Sequence, residues 1–489
     1  MDFLDPKKRR RRDILNLVGY GLIAIALAFA VRILFLTSSG YGIDKDGKVV
    51  QSGLVFVASS PNGAQVRING VLNKAQTAAR LSLVSGNYNV SFSRDGYNTW
   101  QQSISLDGGK IVRLDYAMLF PKKLATTNVR KYTGTIGLAT QSPDRRWLLV
   151  EQPGSDTVFD QYDLKNPKQP VTELTVPSGI ITPGTTNSWT LDEWSNDNQH
   201  VLLSHIHDGA TEFVLLDRTD MTKSVNLNTR LGVAPTKISL VDKKYDRYYV
   251  FDATAQTLKT ASRDAPSPQD YLSDVLEYQS YGDDVMLYAS SKTTTSGKVG
   301  IVMQLGGKSY FLREVSGNTK YLVDLTKYDG AWYVAIGAQS ENKIYVYKNP
   351  NDQLNSNLGL LVPVNVLKIP GATRLSFSSN ARFIMAENGT QFSVYDAEMN
   401  RSYQYDTKLP LDAPQAYANW MDGDRLTYVS GGKQVVFDFN HTNVQTLSAA
   451  DPAYTPFFVP DYKHVYTVTP PAAGSQVIIS TALRTPNDL

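Results

Sequence analysis

The chain has 489 residues, enough for two or three domains that each bury a core of their own. It contains no cysteine, which excludes disulfides, thiolate nucleophiles and cysteine metal ligands. The net charge is +3, but residues 1–12 carry six cations against two anions. The rest of the chain is therefore almost neutral, and we expect no nucleic-acid partner because a groove for phosphates would need a surplus of cations.

A long apolar segment lies close to the amino terminus. Residues 14–36 would span about 35 Å as a helix, more than the roughly 30 Å of a bilayer's hydrocarbon core. Lys and Arg residues precede this segment and no comparable cluster follows it, which favours a cytoplasmic amino terminus. We predict a basic cytoplasmic tail over 1–12 and a single transmembrane helix over 13–37. The lipid bilayer would be its partner, and the bulk of the chain would lie outside the plasma membrane.

Two other interpretations of this segment compete with an anchor. Ala28-Phe29-Ala30 resembles the small-residue site of a cleaved signal peptide, although the apolar run continues from Ile33 to Leu36. A buried core helix is the second alternative, but no other segment of the chain has the pattern of a helical partner.

Residues 38–52 are polar and predict a short spacer, and a small β-module is expected over 53–120. Apolar and polar residues alternate there in short runs that end at turn residues. Asn69-Gly70 is a typical dipeptide of a two-residue hairpin turn. The pattern predicts a compact β-sandwich.

The module contains a Ser-Pro-x-Gly-Ala turn, a strand that ends in Asn-Gly, a Gly-x-Tyr strand and a Gly-Tyr pair. The residues of this pattern are Ser60, Pro61, Gly63, Ala64, Asn69, Gly70, Gly86, Tyr88, Gly96 and Tyr97. In their order they resemble the PEGA family of small extracytoplasmic β-domains. The chain departs from the pattern at Asn62, where the family has Glu, and over 75–79. The resemblance implies a cell-envelope interaction module in which these residues build turns and core, with no reaction attached.

The segment 121–489 repeats itself. In each copy a turn rich in Asp or Asn precedes a short apolar strand, and a second strand follows that often ends in an acidic residue. The aligned turn residues are Asp144, Asp197, Asp242, Asp283, Asp329, Asn380, Asp422 and Asp461. Their mean spacing of about 45 residues is typical of four-stranded propeller blades.

The repeat predicts a β-propeller of eight blades, or alternatively seven, which makes the chain all-β apart from its first helix. Because the last copy ends early, we expect a strand around 128–132 to complete the final blade and close the ring. The repeats resemble the WD-repeat and TolB-type propeller superfamily, a resemblance that implies architecture and very little function.

No motif of catalysis stands out, so we expect no enzyme, no catalytic residue, no cofactor and no metal. The best metal candidates are His200, His205, His207 and Asp208, since residues 205 and 207 of a strand project to one face. The alternative is that these residues only complete the end of a blade strand.

Paired carboxylates and tryptophans invite a carbohydrate-related interpretation. Asp283-Asp284 and Asp422 with Asp424 could suggest a glycosidase, but residues at recurring turn positions are expected to cap turns. The aromatic candidates for a sugar-binding surface are Trp189, Trp194, Trp332 and Trp420. Packing between blades is the alternative for them.

The sequence therefore predicts a membrane-anchored binding or scaffold protein of the cell envelope. Its propeller rim would engage another protein or a cell-wall polysaccharide. The alternative function is an extracytoplasmic hydrolase with its site in the propeller channel, and a purely structural spacer is a third possibility.

Overall fold

The structure is a computed structural model that describes residues 6–38, 40–43, 48–292, 295–356, 359–414 and 416–488. The chain divides into two compact units. The first consists of Met1–Lys123 together with Thr485–Asp488, and the second of Leu124–Arg484 with Leu489. Strands make up nearly all of the regular structure, as the sequence predicts.

Helix α1, Pro6–Ser38, contains the apolar segment expected near the amino terminus. Its stretch Asp13–Leu36 has a mean hydropathy of 2.3, and none of it is buried by the rest of the chain. A predominantly apolar stretch of this length can cross a bilayer as a helix. It is a candidate membrane anchor or signal sequence, because both have this length and composition.

The first unit contains two four-stranded sheets packed around a core of aliphatic and aromatic side chains. Its strands are β1 (Tyr41–Ile43), β2 (Val49–Ser60), β3 (Gln65–Ile68), β4 (Val71–Gln76), β5 (Ala79–Val84), β6 (Gly86–Ser93), β7 (Trp100–Leu106) and β8 (Ile111–Met118). One sheet has the order β1-β2-β5 with β8 parallel to β2, and the other has the order β4-β3-β6-β7. Phe92 and Trp100 stack in the core with ring centroids 4.9 Å apart. This is the expected small β-sandwich.

The segment 38–52 differs from the expected spacer. Strand β1 pairs antiparallel with the beginning of β2, with Tyr41 opposite Gln51. Strand pairing uses backbone groups, so a polar segment beside the β-branched Val49 and Val50 can extend a sheet. Residues 44–47 lie outside the described residues.

The second unit is a propeller of eight four-stranded blades within the described residues. Blade 1 consists of β10 (Ala139–Gln141), β11 (Trp147–Glu151), β12 (Val158–Asp163) and β13 (Thr172–Thr175), and blade 2 of β14 (Asn187–Trp194), β15 (His200–His207), β16 (Ala210–Asp217) and β17 (Val225–Asn226). Blade 3 consists of β18 (Lys237–Leu240), β19 (Arg247–Asp252), β20 (Thr257–Ser262) and β21 (Gln269–Leu272), and blade 4 of β22 (Val275–Tyr281), β23 (Val285–Ser290), β24 (Lys298–Leu305) and β25 (Lys308–Ser316).

Blades 5 to 8 continue in the same order along the chain. Blade 5 consists of β26 (Tyr321–Tyr328), β27 (Ala331–Ala338), β28 (Lys343–Lys348) and β29 (Asn365–Lys368), and blade 6 of β30 (Arg374–Phe377), β31 (Phe383–Asn388), β32 (Gln391–Asp396) and β33 (Arg401–Asp406). Blade 7 consists of β34 (Asn419–Trp420), β35 (Arg425–Ser430), β36 (Lys433–Asp438) and β37 (Gln445–Ala449), and blade 8 of β38 (Phe457–Phe458), β39 (His464–Val468), β40 (Ser475–Ala482) and β9 (Ala125–Thr133). Short helices are α2 (Leu227–Leu231), α3 (Pro350–Asn355) and the 3-10 turns Met221–Lys223, Val241–Lys243, Gln339–Glu341 and Pro486–Asp488.

Blade 8 confirms the predicted closure of the ring. Its outermost strand is β9, which comes from the start of the propeller and pairs antiparallel with β40 from Ala125 opposite Ala482 to Thr133 opposite Ser475. Residues 128–132 lie within this strand, where the sequence predicted it. The count of eight blades is confirmed, and the alternative of seven is wrong.

Apolar side chains fill the spaces between neighbouring blades. Leu149 of blade 1 packs with Val201 and Val214 of blade 2, and comparable clusters follow around the ring. The first strands of adjacent blades, such as β22 and β26, contact one another. The first strand of each blade is therefore the innermost, and these strands surround the propeller centre.

The aspartates that defined the repeat lie between the first and second strands of their blades, in turns that we call the inner turns. Asp197 Oδ1 accepts hydrogen bonds from the backbone N–H groups of Gln199 (2.8 Å) and His200 (3.0 Å). Asp461 accepts one from Lys463 at 3.0 Å in the same way. These are Asx turns, so the recurring residue caps its own loop, as the sequence predicted.

A second recurring contact explains the acidic residue at the end of the third strand. In blade 6, Arg382 Nε and Nη2 donate to the two oxygens of Asp396 at 2.9 and 2.6 Å. In blade 1, Arg146 binds Asp163 by the same pair of atoms at 3.1 and 2.8 Å. A bidentate ion pair ties the start of the second strand to the end of the third.

A cavity at the centre of the propeller

A cavity of about 710 Å³ opens where the first strands of blades 2, 3 and 4 meet. We call it the central cavity. Its walls come from β14, β18 and β22, and its mouth is formed by inner turns that include Asn196, Asp242 and Lys243. Its volume falls within the range of small-molecule sites, roughly 300–1,000 Å³.

Asp192 reaches the central cavity because of a β-bulge. Leu191 lies opposite Leu203 and Glu193 opposite Leu202, so Asp192 is the extra residue of β14. Bulges redirect a side chain, and here the carboxylate accepts a hydrogen bond from Ser204 Oγ at 2.7 Å. Solvent reaches Asp192 through the cavity, but protein atoms surround it on most sides. This desolvation raises the pKa of Asp192 to about 6.

Two other carboxyl groups on innermost strands join neighbouring blades. Glu193 of blade 2 accepts a hydrogen bond from the backbone N–H of Leu240 in blade 3. Asp324 of blade 5 accepts one from the N–H of Leu325 at 2.9 Å and another from Phe377 of blade 6. Burial raises the pKa of Glu193 and raises that of Asp324 to about 7. Acidic side chains thus collect around the propeller centre.

A lysine and a tyrosine complete the wall of the cavity. Lys237 Nζ lies 4.8 Å from the ring centroid of Tyr278 and 3.7 Å from Glu277 Oε1. The Tyr278 hydroxyl and Ser239 Oγ are 2.7 Å apart. The charge of Lys237 is therefore already directed at an acidic and an aromatic partner.

Aromatic and apolar surface borders the polar wall. Tyr281, at the end of β22, is 40% exposed, and Leu191 is 42% exposed. The Tyr281 ring meets Trp332 of blade 5 edge-on, with centroids 5.2 Å apart and planes at 88°. Lys327 Nζ lies 5.5 Å from the Trp332 ring centroid. An aromatic pair therefore lies beside the cavity.

On the other side of the ring, one arginine contacts the inner turns of two other blades. Arg145, in the inner turn of blade 1, donates from Nη2 to the backbone oxygen of Met421 in blade 7 at 2.8 Å. Its guanidinium lies 4.6 Å from the ring centroid of Tyr462 in blade 8. These contacts join the inner turns of blades 1, 7 and 8.

The predicted histidine cluster is assembled only in part. The rings of His205 and His207 stack 5.6 Å apart on one face of β15, as expected. However, His205 is fully buried with Nδ1 2.9 Å from Glu212 Oε1, and His200 Nδ1 lies 2.6 Å from Asp197 Oδ2. Asp208 accepts hydrogen bonds from Thr185 and Thr186 instead. Among the described residues, no three His, Asp or Glu side chains are arranged to hold a metal ion.

The carboxylate pairs suggested by the sequence lie in inner turns. Asp422 Oδ1 accepts hydrogen bonds from the N–H groups of Asp424 and Arg425, both at 2.8 Å. Burial raises the pKa of Asp424 to about 7. Asp283 pairs with Arg247 at 3.3 Å. These contacts are those of turn residues.

Three of the four candidate tryptophans anchor one blade to another or to a loop. Trp194 Nε1 donates to Thr140 Oγ1 of blade 1 at 2.9 Å, and Trp420 Nε1 donates to Ser376 Oγ of blade 6 at 3.1 Å. Trp189 is buried and donates to the backbone oxygen of Asp156 at 2.8 Å. Only Trp332 of the four stands beside the central cavity, against Tyr281.

The PEGA-like residues of the first unit lie in turns and in the core. The Gly63 and Gly70 backbones have φ of +78° and +81°, values that L side chains rarely adopt. Asn69 exchanges two hydrogen bonds of 2.8 Å with the backbone of Asn89. Tyr97 is 1% exposed, and its hydroxyl donates to Asp488 Oδ2 at 2.8 Å.

The remaining residues of this motif have comparable places. Ser60 ends β2 and Pro61 follows it, Ala64 and Tyr88 contribute to the core, and Gly86 and Gly96 lie at the start of β6 and in the turn before β7. These positions suit a structural role.

The comparison with known families agrees with this unit. Residues 52–119 match the PEGA domain. The match contains all ten residues of the PEGA-like motif. The PEGA region, the apolar helix and the propeller together fit a binding or scaffold role outside the cytoplasm.

The chain is similar to several solved structures at low sequence identity. An oligogalacturonate lyase in complex with manganese is 10% identical, with a TM-score of 0.38 over 73% of this chain and 98% of that one. Hsv2 from Kluyveromyces lactis is 11% identical, with a TM-score of 0.40 over 64% and 98%. An uncharacterized protein from Listeria monocytogenes is 11% identical, with a TM-score of 0.38 over 65% and 90%. No curated protein matches the chain by sequence.

The sequence analysis did not identify Asp192, Glu193, Lys237 or Tyr281. A usable signal was present, because Asp192-Glu193 interrupts a strand that otherwise carries Trp189, Leu191 and Trp194. Charged residues inside such a strand indicate either a bulge or a polar lining.

Proposed function

We propose that the protein is a membrane-anchored binding protein of the cell envelope and that its propeller takes its ligand at the central cavity. The single observation that carries this proposal is an open, mixed polar and aromatic cavity where the innermost strands of blades 2 to 4 meet. The partner is an envelope protein or a cell-wall polysaccharide. The binding surface thus lies at the centre of the inner-turn face, inward of the rim expected from the sequence.

The proposed orientation rests on the charges at the amino-terminal end of α1. Lys and Arg residues at 7–12 precede the apolar stretch and would remain in the cytoplasm. The PEGA region and the propeller would then lie outside the plasma membrane, with α1 retained as the anchor.

Cysteine labelling tests this orientation cleanly because the natural chain has no cysteine. Asp270→Cys places a thiol on β21, where the aspartate side chain is 90% exposed. We expect a membrane-impermeant maleimide to label Asp270→Cys in intact cells and to label Asp2→Cys only after lysis. Protection of Asp270→Cys in intact cells, or loss of residue 2 from the mature chain, would contradict the proposal.

Photo-crosslinking in intact cells tests the binding surface. A benzoylphenylalanine replaces Gln279, which lines the cavity, and in a matched control it replaces the exposed Gln269 on the outermost strand of blade 3. We expect adducts from position 279 and not from 269. Equal adducts from both positions, or none from either, would count against a ligand at the cavity.

The alternative function, an extracytoplasmic hydrolase, is favoured by one observation. Asp192 is open to the cavity and has a raised pKa, a combination typical of a general acid. Incubation of the protein with wall polymers and analysis of the products tests this alternative. Products formed by the natural chain and lost in Asp192→Asn would support it.

A further inference from the structure

We infer that the ligand of the central cavity is an uncharged oligosaccharide, stacked on Tyr281 and hydrogen-bonded to Asp192. This inference rests on the proposed function and names the ligand's chemistry.

The charges of the cavity disfavour an anionic ligand. Asp192, Glu193 and Asp242 line it, and its cations are Lys237 and Lys243. Asp242 is paired with Lys244 at 2.9 Å, and Lys237 is directed at Glu277 and at the ring of Tyr278. A phosphate- or carboxylate-rich polymer would therefore approach the carboxyl groups of Asp192 and Glu193, which disfavour an anion.

The polar groups of the wall disfavour a purely apolar ligand. Ser239, Gln279 and Ser280 line the cavity together with Asp192. An apolar ligand would desolvate these groups without replacing their hydrogen bonds to water. A polyhydroxyl ligand can donate to the carboxylate and accept from the amide and hydroxyl groups.

The aromatic rim supplies the remaining part of a sugar site. Sugar rings present C–H faces that pack on exposed aromatic surfaces. Tyr281 is 40% exposed, and its ring contacts Trp332 edge-on. Asp192 and Tyr281 both border the same cavity, so one ligand can reach both.

The test uses the full chain in phospholipid nanodiscs, since glycoside detergents would compete for the site. The probes are cellohexaose and the hexamer of N-acetylglucosamine, with an oligoalginate of equal length as the anionic comparison. Isothermal titration gives the Kd, and tryptophan fluorescence reports on Trp332 beside Tyr281. We expect an uncharged hexamer to bind and the oligoalginate to bind at least about tenfold more weakly.

Matched variants locate the site. Tyr281→Ala and Asp192→Asn should each raise the Kd about tenfold or more, whereas Tyr281→Phe should preserve it. Phe311→Ala is the control, because Phe311 is an aromatic residue of the same blade that is 52% exposed on the outermost strand. Thermal melting of each variant verifies that it is folded.

The outcomes separate this inference from the proposed function. The inference of an oligosaccharide ligand is contradicted if neither uncharged hexamer binds. It is also contradicted if Tyr281→Ala and Asp192→Asn leave the binding unchanged. If the crosslinker at position 279 then captures a discrete protein, the proposed function stands with a protein ligand. If it captures nothing, the oligosaccharide inference and the proposed function are both contradicted.

Discussion

The hydroxyl of Tyr132, on strand β9 of blade 8, donates a hydrogen bond to the carboxylate of Asp160, on strand β12 of blade 1. Asp160 is 1% exposed and is also reached by Gln152 Nε2 at 2.9 Å and Arg130 Nη2 at 3.2 Å. Burial raises the pKa of Tyr132, which keeps the hydroxyl protonated as a donor. The junction between the first and last blades therefore contains a buried polar cluster as well as paired strands and apolar packing.

Removal of the Tyr132 hydroxyl should loosen this junction. Tyr132→Phe leaves the buried carboxylate with one donor fewer, which we expect to lower the free energy of unfolding by about 1–3 kcal/mol. Chemical denaturation followed by tryptophan fluorescence measures the loss. Tyr321→Phe in blade 5, a half-buried tyrosine away from the closure, serves as the control. Equal stability of Tyr132→Phe and the natural chain would show that the contact does not stabilise the ring.

The recurring ion pair should differ in strength between blades. Asp396 is completely buried and Arg382 is 12% exposed, so Arg382→Ala leaves an unpaired buried charge and should cost about 3–5 kcal/mol. Arg146, in the equivalent place of blade 1, is 37% exposed, and water can replace it when it is removed. We expect a clearly smaller loss for Arg146→Ala in the same denaturation experiment. Equal losses would refute the role of burial.

Glu387 should make the propeller less stable as the pH rises. It is completely buried, and burial raises the pKa of its carboxyl to about 7, although the N–H of Ala418, at 3.0 Å, opposes the shift. A raised pKa means that the folded chain holds a proton that the unfolded chain releases. The contribution of the Glu387 carboxyl to the free energy of unfolding is complete below about pH 4.5 and is lost as the pH rises through about 7.

Glu387→Gln tests this dependence, because glutamine keeps an acceptor for Ala418 and cannot ionise. Denaturation curves at about pH 5 and about pH 8 should show a fall in stability for the natural chain that is smaller in the variant, by up to roughly 3 kcal/mol. A fall of the same size in both proteins would exclude Glu387 as its source.

Zinc should not stabilise the propeller through its histidines. His205 is completely buried, Asp208 is engaged by Thr185 and Thr186, and within the described residues no three potential ligands converge on one point. We expect the melting temperature to be the same with added zinc and with a chelator. A saturable rise that is abolished by His207→Ala would contradict this expectation.

The parts of the fold that could be predicted from the sequence share a local cause. Asp197 and Asp461 cap turns by contacts within three residues, so their chemistry recurs visibly along the chain. The closing strand around 128–132 followed from the same repeat, because its last copy was one strand short. The PEGA-like turns were visible for the same reason, since Gly63 and Gly70 occupy backbone conformations that favour glycine.

The central cavity could not be predicted in this way. Its shape depends on how three blades converge, and Asp192 reaches it only because of a bulge that shifts the pairing between Leu191 and Glu193. The order of residues alone does not show at which position the pairing of two strands shifts. The pairing of Tyr41 with Gln51 was missed because backbone hydrogen bonds do not require an apolar side-chain pattern.

The origin of the outermost strand of blade 8 has a consequence for biosynthesis. Thr126 and Thr481, whose hydroxyls are 3.2 Å apart in the closed ring, are separated by 355 residues along the chain. Strand β9 therefore leaves the ribosome long before its partner exists, with its hydrogen-bonding edge bare. If the chain crosses a membrane amino terminus first, this edge must be shielded during translocation, and a chain shortened by only its last strand would be left with an open ring prone to aggregation.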